Sequence, residues 1–362
     1  MQVRDLVNAM EELAPTRYAE AWDNVGLLVG DAGQELHKIL LTIDYTAEVA
    51  EEAKREKCDT IVAYHPPIFE GLKRVTGPSL IFDAIRRGVA IYSPHTALDV
   101  AEGGTNDLLA DVLGLDTREP LKLEPGNVTQ CKMVVFVPVD AADRVAEALF
   151  EAGAGRIGNY SHCSFRSAGT GTFYGEDDAN PAVGHGGKLE RVEELRLETV
   201  LPLARVGAAV RALRAAHPYE EPAFDLVQLV AGETKGQGRI GTFNRPVERS
   251  ELFERIKRAL SLQQLLIAGP TSGAISKAAV GAGACGNMID DALNQGAEFY
   301  LTGEVRHHDA LKAAGRGMTV VCTLHSNSER AVLRRIAKKL EEKLAGVEVR
   351  ISEADRDPFM VV

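Results

Sequence analysis

The chain has no CxxC pair, only one tryptophan, and fewer basic than acidic residues. Its five cysteines (Cys58, Cys131, Cys163, Cys285, Cys322) are odd in number and far apart, which suggests neither a disulfide framework nor a thiolate zinc site. Each reads as a small core residue of a reducing compartment. With 41 Lys and Arg against 52 Asp and Glu, the formal net charge is −11, which disfavours general nucleic-acid binding because that needs clustered positive charge. No apolar run approaches the ~18 residues of a membrane span, and Met1-Gln2-Val3-Arg4-Asp5 puts charge where a signal peptide needs its apolar core. A cytoplasmic protein without a membrane partner is the expectation. The 362 residues, 45% of them apolar, suffice for two or three packed layers around a sizeable core.

Short β-branched runs alternate with amphipathic segments in the first third. Lys38 to Ile43, Thr60 to Tyr64 and Val89 to Ser93 read as strands, with helices at Ala47 to Glu56 and Ser79 to Arg87. That spacing implies right-handed crossovers and a parallel sheet. The segment 119–127, rich in proline and charge, reads as a boundary. Beyond it, strands at Cys131 to Val139, Glu198 to Leu203 and Ala223 to Val230, and helices at Asp143 to Ala152 and Ala204 to Ala216, flank a glycine-rich loop from Gly153 to Gly187. This suits a ferredoxin-like α+β module, with an exit linker at 232–237. The last third resumes the first pattern, with strands at Leu265 to Ala268, Lys277 to Ala282, Glu298 to Thr302, Thr319 to Leu324 and Val347 to Ser352. Helices are expected at Ile289 to Gln295, Arg306 to Ala314 and Asn327 to Leu344. The predicted fold class is α/β: a two-part domain with parallel-type sheets (1–124 and 236–362), interrupted by the inserted module (125–235).

Ligands of such sheets collect at the carboxyl ends of the strands. His65 follows one strand, with Pro66 and Pro67 stopping further regular structure, and His95 and Asp99 follow the next. Imidazole and carboxylate together form a common divalent-metal set. Taken alone, each histidine is more simply a hydrogen-bonded structural group; their recurrence at strand tips is what suggests a metal. His325 ends another strand, and Glu329 lies one helical turn beyond it, on the same face. That pair gains meaning only if the fold brings it to His65. A third tip carries His307 and His308, of which His308 can face the site as a supporting donor or substrate contact, or simply begin a solvated helix. Asp23 and Asn24, after Trp22, suggest a turn. Gly281 to Gly286 is a weak candidate anion cradle. In the insert, the stretches from Gly158 to Phe165 and from His217 to Pro222 can recognise a small ligand, form a rigid turn or serve as an interface.

With these residues assembled, the chain resembles the NGG-interacting-factor-three-like family, also called dinuclear metal-centre proteins or GTP cyclohydrolase I type II homologues. The likeness runs over nearly the whole chain, through WDNVGLLVG from Trp22, HPPIF from His65, HTALD from His95, GGTND from Gly103, LTGEVRHHD from Leu301 and HSNSE from His325. The insert resembles the family's long version through GNYSHCSF and HPYEEPAFDL. The resemblance implies a PII- or CutA-like insert, assembly into a homohexamer, and a pair of divalent ions (Zn, Mn, Fe or Mg). His65 and Asp99 would hold one ion and His325 the other, with Glu329 bridging them. The family motif usually reads His-His-Pro, but here Tyr64 takes the first position, so a tight ion on His65, Asp99 and Glu329 and a weaker one on His325 and the shared Glu329 are expected. Tyr64, His95 and His308 are expected to contact substrate or support the ligands. The function implied is metal-dependent hydrolysis of a nucleotide or phosphorylated small molecule by a metal-activated water. The alternative is a metal-binding regulatory or adaptor protein whose insert senses a ligand or partner.

Overall fold

Ile39, Leu40 and Leu41, then Ile61, Val62 and Ala63, then Ala90, Ile91 and Tyr92 are consecutive buried residues rather than alternating ones. Such runs form strands whose two faces are both covered, and they lie at the centre of a five-stranded sheet. A computed structural model describes residues 1–123, 130–176, 181–229 and 235–360. In this first sheet the order is Gly26–Val29, Ala90–Ser93, Thr60–Ala63, Lys38–Thr42 and Glu348–Ile351. The carboxyl-terminal strand pairs in parallel with Lys38–Thr42, so the last segment of the chain completes a sheet built by the first. A second five-stranded sheet has the order Arg239–Glu248, Ala274–Gly281, Phe299–Thr302, Thr319–Cys322 and Leu266–Ala268.

Neither sheet is purely parallel, which corrects the expectation from spacing. Gly26–Val29 in the first sheet, and both Arg239–Glu248 and Leu266–Ala268 in the second, run antiparallel to their neighbours. Leu266 and Ile267 on that last edge are exposed, as antiparallel edges tolerate. Crossover spacing reports only the inner, parallel strands. The helix expected over 327–344 is two helices, His325–Glu329 and Val332–Lys343, divided where Arg330 pairs with Asp355. Val332, Leu333, Ile336 and Leu340 of the longer helix join the apolar cluster holding Ile39, Leu41 and Val62, again tying the end of the chain to its beginning.

The chain divides into two compact units, Met1–Glu124 with Lys235–Val362, and Pro125–Thr234. The second contains Gln130–Pro138, Ala142–Glu151, Ser164–Tyr174, Leu189–Pro202, Val206–Ala216 and Phe224–Gln228 in chain order. Its sheet is antiparallel, with Leu189–Pro202 and Gln130–Pro138 central and Ser164–Tyr174 and Phe224–Gln228 at the edges, the strand order of a split βαβ module. Val145, Leu149, Ala209 and Leu213 from its helices pack with Met133, Val135, Leu197 and Leu201 from the sheet. The expected loop from Gly153 to Gly187 contains the eleven-residue strand Ser164–Tyr174. Nearly all of that strand is exposed and it carries Gly169 and Gly171, so no apolar periodicity announces it; pairing with Leu189–Pro202 holds it. Residues 124–127 of the first expected linker and 232–234 of the second lie outside the described residues. Among those residues, no helix is long and apolar enough to cross a membrane.

Candidate metal centre

Tyr64 and His65 extend past the strand Thr60–Ala63, their amides donating to the carbonyls of Thr42 (2.8 Å) and Ile43 (3.0 Å). Pro66 and Pro67 then turn the chain away. In the second sheet, Thr319–Cys322 leads through Leu324 into the one-turn helix His325–Glu329. Leu324 adopts φ 71° and ψ 157°, a conformation costly for any residue but glycine, and one that the surrounding structure must hold in place. The two sheets thereby present His65, His325 and Glu329 to one another, with one ligand atom of each within 4.8 Å of the others. Glu329 lies between the rings: its Oε2 is 3.2 Å from His65 Nε2 and its Oε1 is 3.4 Å from His325 Nε2. Gly283 closes the floor at φ +65°, and a Cβ there would lie 2.6 Å from Glu329 Oε1, so a side chain would collide with the carboxylate. Its amide donates to Ser328 Oγ at 2.8 Å.

His65 Nε2 and Glu329 Oε2 are both buried and neither has a hydrogen-bond partner among the described residues. Buried polar atoms are normally paired, and orphans call for an explanation such as an ion. An imidazole nitrogen and a carboxylate oxygen converging in this way are the donor set of a borderline divalent ion, so the residues present fit a metal. Asp44 Oδ1 lies 2.9 Å from His65 Nδ1, the carboxylate–histidine arrangement that fixes the ring with Nε2 toward a metal. Burial alone would lower the His65 pKa, but the carboxylates of Asp44 and Glu329 outweigh it and raise the value to about 10. Asp44→Ala should therefore weaken Mn²⁺ binding ~10–100-fold with an unchanged circular-dichroism spectrum; unchanged affinity would mean that Asp44 does not position the ring.

Asp99 stands apart from the three converging groups. Its carboxylate accepts a short hydrogen bond from the Tyr64 hydroxyl, which also lies 2.9 Å from Thr105 Oγ1. Burial, then the negative charge of Glu329, raises the Asp99 pKa to about 6 despite the Tyr64 bond. Tyr64 is wholly buried, its ring 5.4 Å from that of His65. The His95 ring is 5.3 Å from that of His65, with Nδ1 2.7 Å from Asp23 Oδ1. His95 itself has φ 26°, a second strained residue at this rim. His308 is exposed, its ring edge-on to His307, and no hydrogen bond or ion pair links it to the triad among the described residues. Sequence reading missed Asp44 and Asp23 as orienting carboxylates. Asp44 follows a strand just as His65 does, and that signal could have found it. Asp23 carries only the local signature of a turn residue, because its bonds to His95 and Thr96 span more than seventy residues.

Fold and site together define a mixed α/β protein with a buried His-His-Glu group able to hold a metal ion. The Duf34/NIF3 (NGG1p interacting factor 3) family model matches residues 1–358, and the chain belongs to that family. It is 36% identical over 365 residues to the GTP cyclohydrolase 1 type 2 homolog of Bacillus subtilis (strain 168), covering 98% of this chain and 97% of the relative. A Bacillus cereus protein related to NIF3 shares the fold at a TM-score of 0.66 and 35% identity, covering 100% of this chain and 99% of that one. Staphylococcus aureus protein SA1388 superposes at 0.76 with 26% identity and the same coverage.

Proposed function

We propose that this protein is a metal-dependent hydrolase acting on a nucleotide or a phosphorylated small molecule. The carrying observation is the convergence of His65, His325 and Glu329, one ligand atom of each within 4.8 Å of the others. The relatives' name, GTP cyclohydrolase 1 type 2 homolog, supports a nucleotide. In this reading the tighter ion moves from the expected His65, Asp99 and Glu329 to His65, His325 and Glu329, the three groups that converge. A divalent ion there would lower the pKa of a water toward neutrality and polarise a substrate oxygen. Asp44 keeps the His65 ring oriented, and the buried Glu329 carboxylate sets one oxygen against each histidine. Asp99, already bonded to Tyr64, joins a second ion only by giving up part of that bond, which makes the second ion the weaker one. His95 and His308 are the candidate substrate contacts. Residues 1–124 and 236–362 form the metal-binding domain, the insert is PII- or CutA-like, as its split βαβ strand order suggests, and the assembly is a homohexamer.

One observation favours the alternative, a regulatory protein that senses a ligand. The insert has its own cavity of about 750 Å³, lined by Ser167, Thr170, Thr172, Glu194, Arg196 and Tyr219. The deciding experiment incubates the purified chain with Mn²⁺ or Zn²⁺ and pooled nucleotides and phosphoesters, GTP included. Turnover that disappears in His65→Ala and Glu329→Ala is the expected result. Metal-loaded protein that turns over none of them would favour the regulatory reading.

A further inference from the structure

The rings around the triad do not stop at its edge. His325 and His65 lie 5.3 Å apart by ring centroid, His65 and His95 5.3 Å, His95 and Trp22 5.9 Å, and Trp22 and Phe69 5.7 Å. The run begins at the candidate metal ligands and ends in solvent, where Trp22 is 58% and Phe69 52% exposed. Large aromatic side chains are usually buried, and this adjoining exposed pair continues the run of rings that starts at the candidate ligands.

The backbone beside each ring is anchored. Asp23, next to Trp22, has a fully buried side chain that bonds His95 Nδ1 and the Thr96 amide (3.1 Å). Asn24, one residue on, donates from Nδ2 to the carbonyl of Ile68 at 2.6 Å, immediately before Phe69. The Glu20 amide donates to Thr96 Oγ1 at 3.0 Å on the other side of Trp22. One tripeptide thus orients a histidine beside the triad, anchors the loop carrying Phe69 and displays an indole between the two. A preorganised stacking surface loses little entropy when a flat ligand settles on it.

We propose that Trp22 and Phe69 form a stacking wall for the planar heteroaromatic ring of a nucleoside-like substrate, whose reacting or phosphorylated end reaches the His65–His325–Glu329 group. The proposal rests on the reading of that group as a metal site and adds the part of the substrate it does not address. A flat ring suits the wall because every such ring has a π-face to stack, and a net charge of −11 argues against a nucleic-acid strand as the occupant.

The test uses the chain's single tryptophan, which makes its emission a report on residue 22 alone. The full chain, with and without Zn²⁺, is titrated with guanosine and separately with ribose 5-phosphate at constant ionic strength. Guanosine should quench the emission saturably and ribose 5-phosphate should not. Phe69→Ala should weaken guanosine binding at least ~5-fold, the low end for losing one base–aromatic stack, while Zn²⁺ affinity stays unchanged. Phe69→Tyr, which keeps the ring, should restore guanosine binding and guards against a folding defect in the alanine variant. The proposal is overturned by a lack of saturable quenching, by equal quenching with ribose 5-phosphate, or by an indole emission that already shifts with protein concentration, which would assign the wall to a second copy. Failure of the metal reading would show separately, as no Zn²⁺ binding in a chain that still binds guanosine.

Discussion

Glu329→Ala should reduce Mn²⁺ or Zn²⁺ affinity by two orders of magnitude or more and leave a folded protein. Glu329 is the only anion among the three converging groups and the one that faces both histidines, at 3.2 and 3.4 Å. Loss of a supporting group behind a ligand typically costs ~10–100-fold, so loss of the anionic ligand itself should exceed that range. Glu329 is only 2% exposed, and a buried carboxylate is costly unless it is paired, as it is here with the two imidazoles. In metal-free protein the substitution also removes one of the two carboxylates that hold the His65 proton, so some stability should be lost there as well. Two measurements separate site from scaffold: calorimetric titration with metal, and the thermal midpoint with and without metal. Wild-type protein should be stabilised by added metal in proportion to the logarithm of its concentration, and the variant should not. A variant that binds metal as tightly as the parent would remove Glu329 from the centre and leave its burial between two imidazoles unexplained.

Strand positions are legible in the sequence because the central strands are short apolar runs bounded by turns. His65 and His325 were placed correctly at strand ends, and the HxxxE spacing put Glu329 on the same helical face as His325. Their mutual approach was not readable from spacing, since it depends on how the two sheets are set and on Gly283 leaving room for the carboxylate. The engagement of Asp99 was equally hidden. Nothing local says that the Tyr64 phenol turns onto that carboxylate and Thr105, because Tyr64 follows a strand while Asp99 lies in the helix His95–Val100 and Thr105 begins another, Thr105–Leu113. The same limit applies to the edges of the fold. An exposed strand such as Ser164–Tyr174, with glycines inside it, is defined by its hydrogen-bonding neighbour rather than by its own composition.

Proton release should accompany metal binding, and the two protonation changes at the site should appear in separate pH windows. His65 has its pKa raised from 6.5 to about 10, since burial, which lowers it, is outweighed by Asp44 and Glu329. A raised folded-state pKa gives stability that is complete below the unfolded value and is lost as pH rises through the folded one. Metal-free protein should therefore lose the His65 contribution between pH 6.5 and about 10. Asp99, raised from 3.8 to about 6 by burial and by Glu329, follows the same sign rule in a lower window, from 3.8 to about 6. A metal requires the neutral imidazole, so at pH 7 its arrival must displace the His65 proton. Apparent Mn²⁺ affinity should then rise about tenfold per pH unit from pH 6.5 to 8.5, with close to one proton released per ion. Calorimetry in buffers of different ionisation enthalpy counts that proton directly. The Asp44→Ala variant, missing one of the two carboxylates that hold the proton, should show a shallower slope beginning at lower pH. A pH-independent affinity in the unaltered chain would mean that the His65 ring is already neutral before the ion binds, and would take the His65–Glu329 contact out of the energetics of the site.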